Sequence, residues 1–280
     1  MDAKLTSSQI KDSQIKAFQE KIWAYYQAHG RQFVWRGDTI TPYKIFISEV
    51  MLQQTQTTRV ADMFPPFIEA FPSFEKLANA SFSAVLAHWK GLGYNNRALR
   101  LQKAAQIVVK KFNNKLPESY DDLISLPGIG PNTAGSIAAF AFNKTSVFIE
   151  TNIRAVFIHE FFTEQTNVHD KDILELVRQT IDKKRPRHWY YALTDYGVFL
   201  KKNFSNPARK SKHHTKQSRF EGSDRQIRGK ILQILLEQPV INIDDLISYF
   251  NNDPERINHI IEGLVKDKLL VTTNQFIRLT

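Results

Sequence analysis

Apolar residues recur at helical spacing along most of residues 1–200, where strand-like alternation is scarce. The clearest early case is segment 7–27, which carries apolar residues at Ile15, Phe18, Ile22, Trp23 and Tyr26. A second helix is predicted to start at Thr41-Pro42, because threonine caps a helix and proline suits its first turn. This helix is predicted to end before Pro65-Pro66.

The same periodicity predicts further helices up to residue 200. Their predicted bounds are Ser81–Trp89, Asn95–Phe112, Tyr120–Ser125, Asn132–Phe142, Asn152–Phe162, Asp170–Ile181 and Trp189–Leu200. We therefore expect residues 1–200 to form one all-α body, so the predicted fold class is mainly α.

The pattern changes after residue 223. Three helices are predicted, at Asp224–Glu237, Asn242–Phe250 and Pro254–Lys268, and then two β-prone runs around an Asn-containing turn within Leu269–Leu279. This order predicts a small winged-helix-like domain. Winged helices bind DNA or dock proteins, so the fold alone does not decide its role. The predicted domains are thus 1–200, a linker at 201–223, and 224–280.

Composition narrows the possible chemistry of the 280 residues. The absence of cysteine excludes disulfides, thiolate catalysis and cysteine-ligated zinc or iron–sulfur clusters, and the eight histidines form no HExxH pair. The N-terminus is polar and no apolar run is long enough to cross a bilayer, so we expect a cytoplasmic protein without a membrane partner.

Positive charge is concentrated in one tract. The chain carries a net charge of +10, and residues 201–230 alone contain ten Lys/Arg against two Asp/Glu. Such a tract favours a polyanion as partner, and a location near the nucleoid. The alternative is a solvated linker, since a charge run by itself does not identify a ligand.

The sharpest local motif is LPGIGPNTA, from Leu126 to Ala134. Pro127 stops one helix, while Gly128 and Gly130 permit a tight turn before the next helix opens with free N–H groups. Such a backbone-lined turn can bind a DNA phosphate without reading sequence. A bare GxG is more often an ordinary turn between helices, but the wider motif favours a DNA-binding hairpin.

Two carboxylates are candidates for catalysis. Glu49 follows Ile45 and Phe46 and precedes Leu52 on one side of a helix, and burial there would raise its pKa as an acid catalyst requires. Glu150 precedes a helix that Asn152 is positioned to cap, which leaves Glu150 to face a cleft. The alternatives are a surface glutamate at 49 and a simple capping arrangement at 150.

Four segments together resemble the adenine DNA glycosylases of the MutY family, in the same order. They are ISEVMLQQTQTTRV, GLGYNNRALRLQKAAQ, LPGIGPNTAGSIAAFAF and IETNIRAV, and the resemblance extends from about residue 27 to residue 200. RFEGSDRQIRGKILQILLE is also similar to the start of the C-terminal region in some bacterial members. The resemblance implies a two-lobed helix-hairpin-helix glycosylase fold.

The resemblance also implies roles for individual residues. Glu49 matches the general acid that protonates adenine, and Glu150 matches an aspartate that stabilises the positive charge developing on the sugar. Gln54 and Tyr94 match residues that enter the base stack, with Leu52 close by. Residues implied to line the site or bind DNA are Arg31, Trp35, Thr55, Asn152, Gly128, Gly130 and Asn132. The carbonyls of Ile124, Leu126 and Ile129 are implied ligands of a structural monovalent cation.

The chain departs from the family in four places. The four cluster cysteines are absent, with about Lys201 at the first position, so no iron–sulfur cluster is expected. We hypothesise that the basic tract contacts phosphates directly instead, through Lys201, Lys202, Arg209 and Lys210. Glu150 replaces the family's aspartate. Asn132 replaces the lysine with which bifunctional relatives form a Schiff base, so no lyase activity is expected. The family's larger C-terminal domain is not recognisable.

The resulting hypothesis is a monomeric, monofunctional glycosylase of base excision repair without metal or organic cofactor. It would flip adenine mispaired with 8-oxoguanine or guanine out of double-stranded DNA and hydrolyse its N-glycosidic bond. Two carboxylates with different pKa values suffice for this chemistry. The alternatives are a mismatch glycosylase for uracil, thymine or another altered base, and a non-catalytic DNA-binding protein on the same fold.

Overall fold

The chain is mainly helical, as predicted, in a computed structural model that describes residues 10–215, 218–250 and 253–280. The α-helices are α1 Asp12–His29, α2 Pro42–Leu52, α3 Thr57–Ala70, α4 Phe74–Asn79, α5 Phe82–Trp89, α6 Asn96–Lys111, α7 Tyr120–Ser125, α8 Pro131–Phe142, α9 Thr151–Phe161, α10 Asp170–Thr180, α11 Pro186–Asn203, α12 Asp224–Glu237, α13 Ile243–Tyr249 and α14 Pro254–Lys266. The strands are β1 Val240–Asn242, β2 Leu270–Thr273 and β3 Phe276–Leu279, and a short 3-10 helix spans Pro207–Lys210.

Contacts between Cα atoms divide the chain into two compact units. Unit 1 comprises Met1–Phe46, Glu118–Ser125 and Ile129–Lys216. Unit 2 comprises Ile47–Pro117, Leu126–Gly128 and Gln217–Thr280. The division into domains at 1–200, 201–223 and 224–280 stays a prediction.

Unit 1 is built on an aromatic core in which α1, α9 and α11 pack together. The ring of Phe18 lies 5.4 Å from that of Phe157 and 5.9 Å from that of Trp189. Fully burying such rings is strongly favourable, since each removes a large apolar area from water. This core holds together α9 and α11, and both helices carry candidate site residues.

In unit 2, α4 and α5 pack on α6. Their buried side chains include Leu77 and Trp89, which have no exposed surface. Ser73 and Ser81 cap α4 and α5 by accepting bonds from the backbone N–H of Lys76 and Ala84. The helix α4 was not predicted, although α7, which is also six residues long, was predicted.

The predicted helix from Thr41 to residue 64 is wrong. It is two helices, because α2 ends at Leu52 and a turn follows in which Gln54 has φ +54°. Pro65 and Pro66 lie inside α3 rather than beyond a helix end. Both prolines are solvent-exposed while the adjacent Phe64 and Phe67 are buried. We attribute the continuity of α3 to the burial of these two rings, which outweighs the lost backbone bonds.

The C-terminal elements of unit 2 match the predicted order of three helices and a terminal hairpin. The sheet order is β1-β3-β2, with both pairings antiparallel and Ile241 opposite Ile277. The strand β1 was missed, since its three residues precede α13 directly. The buried side chains among the described residues of this region are Ile231, Leu232, Leu235, Ile241, Leu246, Ile257, Ile260, Ile261, Leu264, Leu269, Leu270 and Ile277.

A buried arginine connects the end of α2 with the loop before α6. The two terminal nitrogens of Arg97 donate bonds of 2.8–3.1 Å to the carbonyls of Val50, Met51, Leu92 and Gly93 and to the Thr55 hydroxyl. Its guanidinium also lies 5.2 Å from the Trp89 ring centroid. Desolvation lowers the pKa of Arg97 to about 10, so the group stays charged at neutral pH.

We expect Arg97→Met to lower the free energy of unfolding by about 3 kcal/mol, because it leaves several buried carbonyls without a donor. The measurement is equilibrium unfolding in urea. Arg100→Met on the same helix is the matched control, because Arg100 is exposed; its effect should stay within about 0.5 kcal/mol. Equal losses in the two variants would contradict the assigned role of Arg97.

Candidate active site and DNA-binding elements

The predicted hairpin consists of α7, a turn at residues 126–130, and α8. Gly128 has φ +85°, a left-handed conformation that favours glycine, and a Cβ there would lie 3.1 Å from Cβ of Arg100. Gly130 is the N-cap of α8 and Pro131 occupies its first turn. Within unit 2, Gly128 thus lies beside the exposed Arg100, and in unit 1 the first turn of α8 has the free N–H groups that suit a phosphate.

Asn132 is exposed in the first turn of α8. Its side-chain oxygen accepts a 3.3 Å bond from the N–H of Ile149, next to Glu150 in the chain. Of the three carbonyls expected to bind a monovalent cation, Ile124 belongs to α7, and Leu126 and Ile129 are buried residues of the turn. The cation site stays a prediction.

Glu49 lies in the penultimate turn of α2 and is half-buried. Ile45 and Phe46 on the preceding turn are 1% and 0% exposed, so the expected apolar side of the helix is present. Leu52, the last residue of α2, is half-buried. The proposed acid therefore has apolar groups beside it; its catalytic role stays a prediction.

Gln54 and Tyr94 are both exposed and both lie in the left-handed region, with φ of +54° and +48°. Few residues other than glycine adopt this conformation, and such strain often marks functional positions. Each follows a segment whose carbonyls accept bonds from Arg97, Met51 for Gln54 and Gly93 for Tyr94. Two strained residues that match stack-entering positions are thus placed by one buried cation.

Thr55 and Gln53 form hydrogen bonds within unit 2. The Thr55 hydroxyl accepts the 2.8 Å bond from Arg97, and the Gln53 amide donates a 3.2 Å bond to the carbonyl of Gly128. Thr55, predicted to line the site, therefore helps to fix the loop that carries Gln54. Gln53 was not predicted, although it stands in the same QQ pair.

Glu150 is the N-cap of α9, which corrects the prediction that Asn152 caps this helix. Its Oε1 accepts a 2.9 Å bond from the N–H of Ile153. The helix begins at Thr151, so the residue before it takes the capping position. Glu150 therefore caps the helix and is at the same time the candidate catalytic carboxylate.

Burial raises the pKa of Glu150 above its ordinary value through desolvation of the charged form. The bonds from the Asn152 and Ile153 backbones and the charge of Lys201 act in the opposite direction but do not cancel this effect. The Asn152 amide donates a 3.1 Å bond to Oε2, and the Lys201 ammonium donates a 3.1 Å bond to the Asn152 oxygen. The three side chains form one hydrogen-bonded chain.

Lys201 is thus drawn into this network from the last turn of α11, which extends to Asn203 rather than to the predicted end at Leu200. Lys202 is exposed on the same turn, as is Arg209 in the 3-10 helix. The Lys210 ammonium donates to the carbonyl of Thr163. Of the tract residues expected to meet phosphates, Lys202 and Arg209 retain exposed side chains for that role.

Gly197 and Asn152 bring the backbones of α11 and α9 together. A Cβ at Gly197 would lie 2.3 Å from the Asn152 carbonyl oxygen, closer than any side chain allows. Glycine is therefore required at this point of the Thr194–Gly197 segment. The contact fixes the distance of α11 from the residue that bonds to Glu150.

Asp195 organises the predicted site residues near the N-terminus. This carboxylate, in a residue that is 2% exposed, accepts bonds from the backbone and side chain of Arg31 and from Arg36, all within 3.0 Å. Trp35 is buried and its ring stacks on Phe33 at 4.9 Å. Asp195 and Arg36 were missed, because the residues that they join are far apart in the chain.

The predicted residues are distributed over both units. Arg31, Trp35, Gly130, Asn132, Glu150, Asn152, Lys201 and Lys202 belong to unit 1, and Glu49, Leu52, Gln54, Thr55, Tyr94 and Gly128 belong to unit 2. The Glu150–Asn152–Lys201 network and the Arg97 loops are each complete within one unit. Among the described residues no His, Asp or Glu cluster could bind a metal ion, and no described helix is long and apolar enough to cross a membrane.

Comparison with known proteins defines the class to which this geometry belongs. Residues 47–183 match the model of the HhH-GPD superfamily base excision DNA repair proteins. A thermostable thymine-DNA glycosylase has a similar fold, with a TM-score of 0.62 at 24% identity over 72% of this chain and 91% of that one. Residues 47–183 therefore match an HhH-GPD domain, and the similarity in structure confirms the predicted fold.

More particularly, the chain is homologous to curated adenine DNA glycosylases, as its motifs predicted. It is 38% identical over 187 residues to that of Buchnera aphidicola subsp. Baizongia pistaciae, over 65% of this chain and 52% of the relative. It is 27% identical to that of Mycobacterium tuberculosis over 90% of both chains. The chain thus spans about half the length of the first relative and most of the second.

We expect Lys201→Met to raise the pKa of Glu150 further, because it removes the nearest positive charge. The measurement is a carboxyl ¹³C NMR titration of labelled glutamate, with Glu150→Gln to assign the resonance. A raised folded-state pKa stabilises the fold below the ordinary value, and this stabilisation is lost as pH rises through the folded-state value. Unfolding free energy should therefore fall over a wider pH range in the variant.

Lys202→Met is the matched control, since it removes the same charge from the adjacent exposed position. If the pKa of Glu150 changes equally in the two variants, Lys201 acts only as one of the positive charges of the basic tract and not through its bond to Asn152.

Proposed function

We propose that this protein is a DNA glycosylase of base excision repair that removes adenine mispaired with 8-oxoguanine or guanine. The observation that carries the proposal is the homology to adenine DNA glycosylases together with carboxylates at both matched positions, Glu49 and Glu150. We propose double-stranded DNA as partner, a monomeric state, and a location at the nucleoid, which the net charge of +10 favours.

The two carboxylates have complementary tasks in this mechanism. Glu49 protonates the adenine ring, so that the base leaves as a neutral molecule. Glu150, ionised, faces the positive charge that develops on the sugar, and water then adds to C1′ with loss of a proton. The bonds from Ile153 and Asn152 fix the Glu150 carboxylate before the reaction begins, which reduces reorganisation during bond cleavage.

Glutamate is one methylene longer than the family's aspartate. Its carboxylate can occupy the same place only if the backbone at position 150 differs or the site shifts. As a helix N-cap it points one oxygen at Ile153 and presents the other to the Asn152 amide. We propose that this capping geometry bends the side chain back towards the helix start and so accommodates the extra methylene. The charge-assisted bonds compensate for the longer and more mobile side chain.

We propose that no metal or organic cofactor takes part, because proton donation and carboxylate stabilisation account for each step. The chain contains no cysteine that could bind an iron–sulfur cluster. The network around Lys201, at about the position of the first cluster cysteine, offers a side-chain substitute for part of that structure.

We expect Glu49→Gln to slow base release by at least about 100-fold, because the amide retains the shape but cannot donate the proton. Glu150→Gln should slow it by about 100-fold through loss of the negative charge. The measurement is single-turnover release of adenine from a duplex with 8-oxoguanine opposite, scored as alkali-labile sites. Glu69→Gln, an exposed glutamate on α3, is the matched control.

The same assay covers guanine opposite adenine, and thymine or uracil opposite guanine. Preferential release of thymine or uracil would show that one of these bases, and not adenine, is the substrate. Release of no base at all would indicate a non-catalytic DNA-binding protein. Full activity of Glu49→Gln would overturn the assignment of the acid.

We expect no lyase activity, because the amide of Asn132 cannot form an imine with the opened sugar. Borohydride should trap no covalent adduct between the wild-type protein and adenine-mispaired DNA. Asn132→Lys provides the matched comparison, since it places an amine on the same exposed turn of α8. An adduct with the wild type would show that another nucleophile reaches the sugar.

A further inference from the structure

A cavity of about 770 Å³ lies within unit 2, between the loop before α6 and the helix α12. Its lining joins Gln54 and Tyr94, the two strained residues, to Phe220 and Arg225 of the C-terminal region. The Arg225 guanidinium contacts the Tyr94 hydroxyl at 3.3 Å. The C-terminal elements therefore complete a pocket around a residue implied to enter the base stack.

The charge of this pocket is positive throughout. Among the described residues that line it, five are Lys or Arg and none is Asp or Glu. The two terminal nitrogens of Arg97 already donate to carbonyls, and Arg228 pairs with Asp267. Lys90, Arg100 and Arg225 form no salt bridge within the described residues, so three cations remain for an anion.

The uncharged lining suits a planar ring. Tyr94 is 40% exposed and Phe220 is 60% exposed, although both are large aromatic residues. Gln53, Gln54 and Gln233 add amides that donate and accept hydrogen bonds. Aromatic faces beside amides and cations are the combination that binds unstacked bases and their phosphates.

We infer that this pocket binds one unstacked nucleotide of the bound DNA, with its base against Tyr94 and Phe220 and its phosphate on Lys90, Arg100 and Arg225. The volume is adequate, since ligand pockets of about 300–1,000 Å³ are usual. The inference rests on the proposed function, and it gives the C-terminal region a part in DNA recognition through residues that belong to this chain.

Arg225 has a second task in this arrangement. It also donates to the carbonyl and hydroxyl of Ser218, so one guanidinium joins the segment carrying Phe220 to Tyr94. The aromatic side chains are thereby kept at one pocket while the arginine still faces the cavity. Loss of Arg225 should weaken both the phosphate contact and the order of the pocket.

The test measures binding to a duplex with a non-hydrolysable tetrahydrofuran residue opposite 8-oxoguanine, over a range of salt concentrations. Arg225→Ala should lower the slope of log K against log salt by about 0.9, the value for one lost phosphate contact. Phe220→Ala should weaken binding by about 5- to 100-fold and leave the slope unchanged, because stacking releases no counterions.

Lys266→Ala and Tyr249→Ala are the matched controls, since they remove an exposed cation and an exposed aromatic ring of the C-terminal region outside the pocket. All four variants are checked by thermal unfolding. Arg225→Ala and Phe220→Ala that bind like their controls overturn the inference.

The proposed function fails in a distinguishable way. If the wild type binds the uncleavable duplex but releases no base, the proposed activity is wrong and the inference about the pocket still stands. If the wild type releases adenine while neither pocket variant differs from its control in DNA binding, only the inference about the pocket is wrong. Absence of any DNA binding overturns both.

Discussion

The buried guanidinium of Arg97 is the interaction on which the loops carrying Gln54 and Tyr94 in unit 2 depend. The end of α2 and the loop before α6 would each leave carbonyls unpaired in an apolar interior, and one planar cation satisfies both. Arginine suits this task because its donors are arranged in a rigid plane and its charge persists on burial. Gln54 and Tyr94 keep their strained backbones because the segments before them are tied to the same group.

In unit 1 the corresponding constraint is the electrostatic environment of the Glu150 carboxylate. A carboxylate that caps a helix is stabilised by backbone donors, yet burial raises the pKa of Glu150. Lys201 offsets part of that effect through Asn152, so the state of the carboxylate depends on a helix end that lies 51 positions along the chain from it. The terminal turn of α11 therefore does more than begin a basic tract. It joins the tract to the proposed site.

Local signals predicted most of the helices, because caps, prolines and apolar periodicity act within a few residues. Ser81, Tyr120 and Asp224 begin or cap helices where the pattern placed them. The failures have the opposite cause. Buried rings on α3 overrode the helix-breaking tendency of two prolines, and the three-residue strand β1 was too short to show a period.

The candidate site was predictable only where motifs carried it. Local motifs singled out Glu49, Glu150 and the hairpin glycines, and the resemblance implied roles for the carboxylates. Arg97 and Asp195 were missed because their partners lie 47 and 164 residues away. No local pattern encodes such pairings. Periodicity also did not distinguish Glu150 from Asn152 as the capping residue, because the two positions differ by only two residues in the helix start.

The close approach of Gly197 to the Asn152 carbonyl has a mechanical consequence. At this contact the two backbones lie against each other with no side chain between them to yield, so we expect the start of α9 to follow any displacement of this part of α11. A shift of α11 would thus reach the carboxylate at the head of α9.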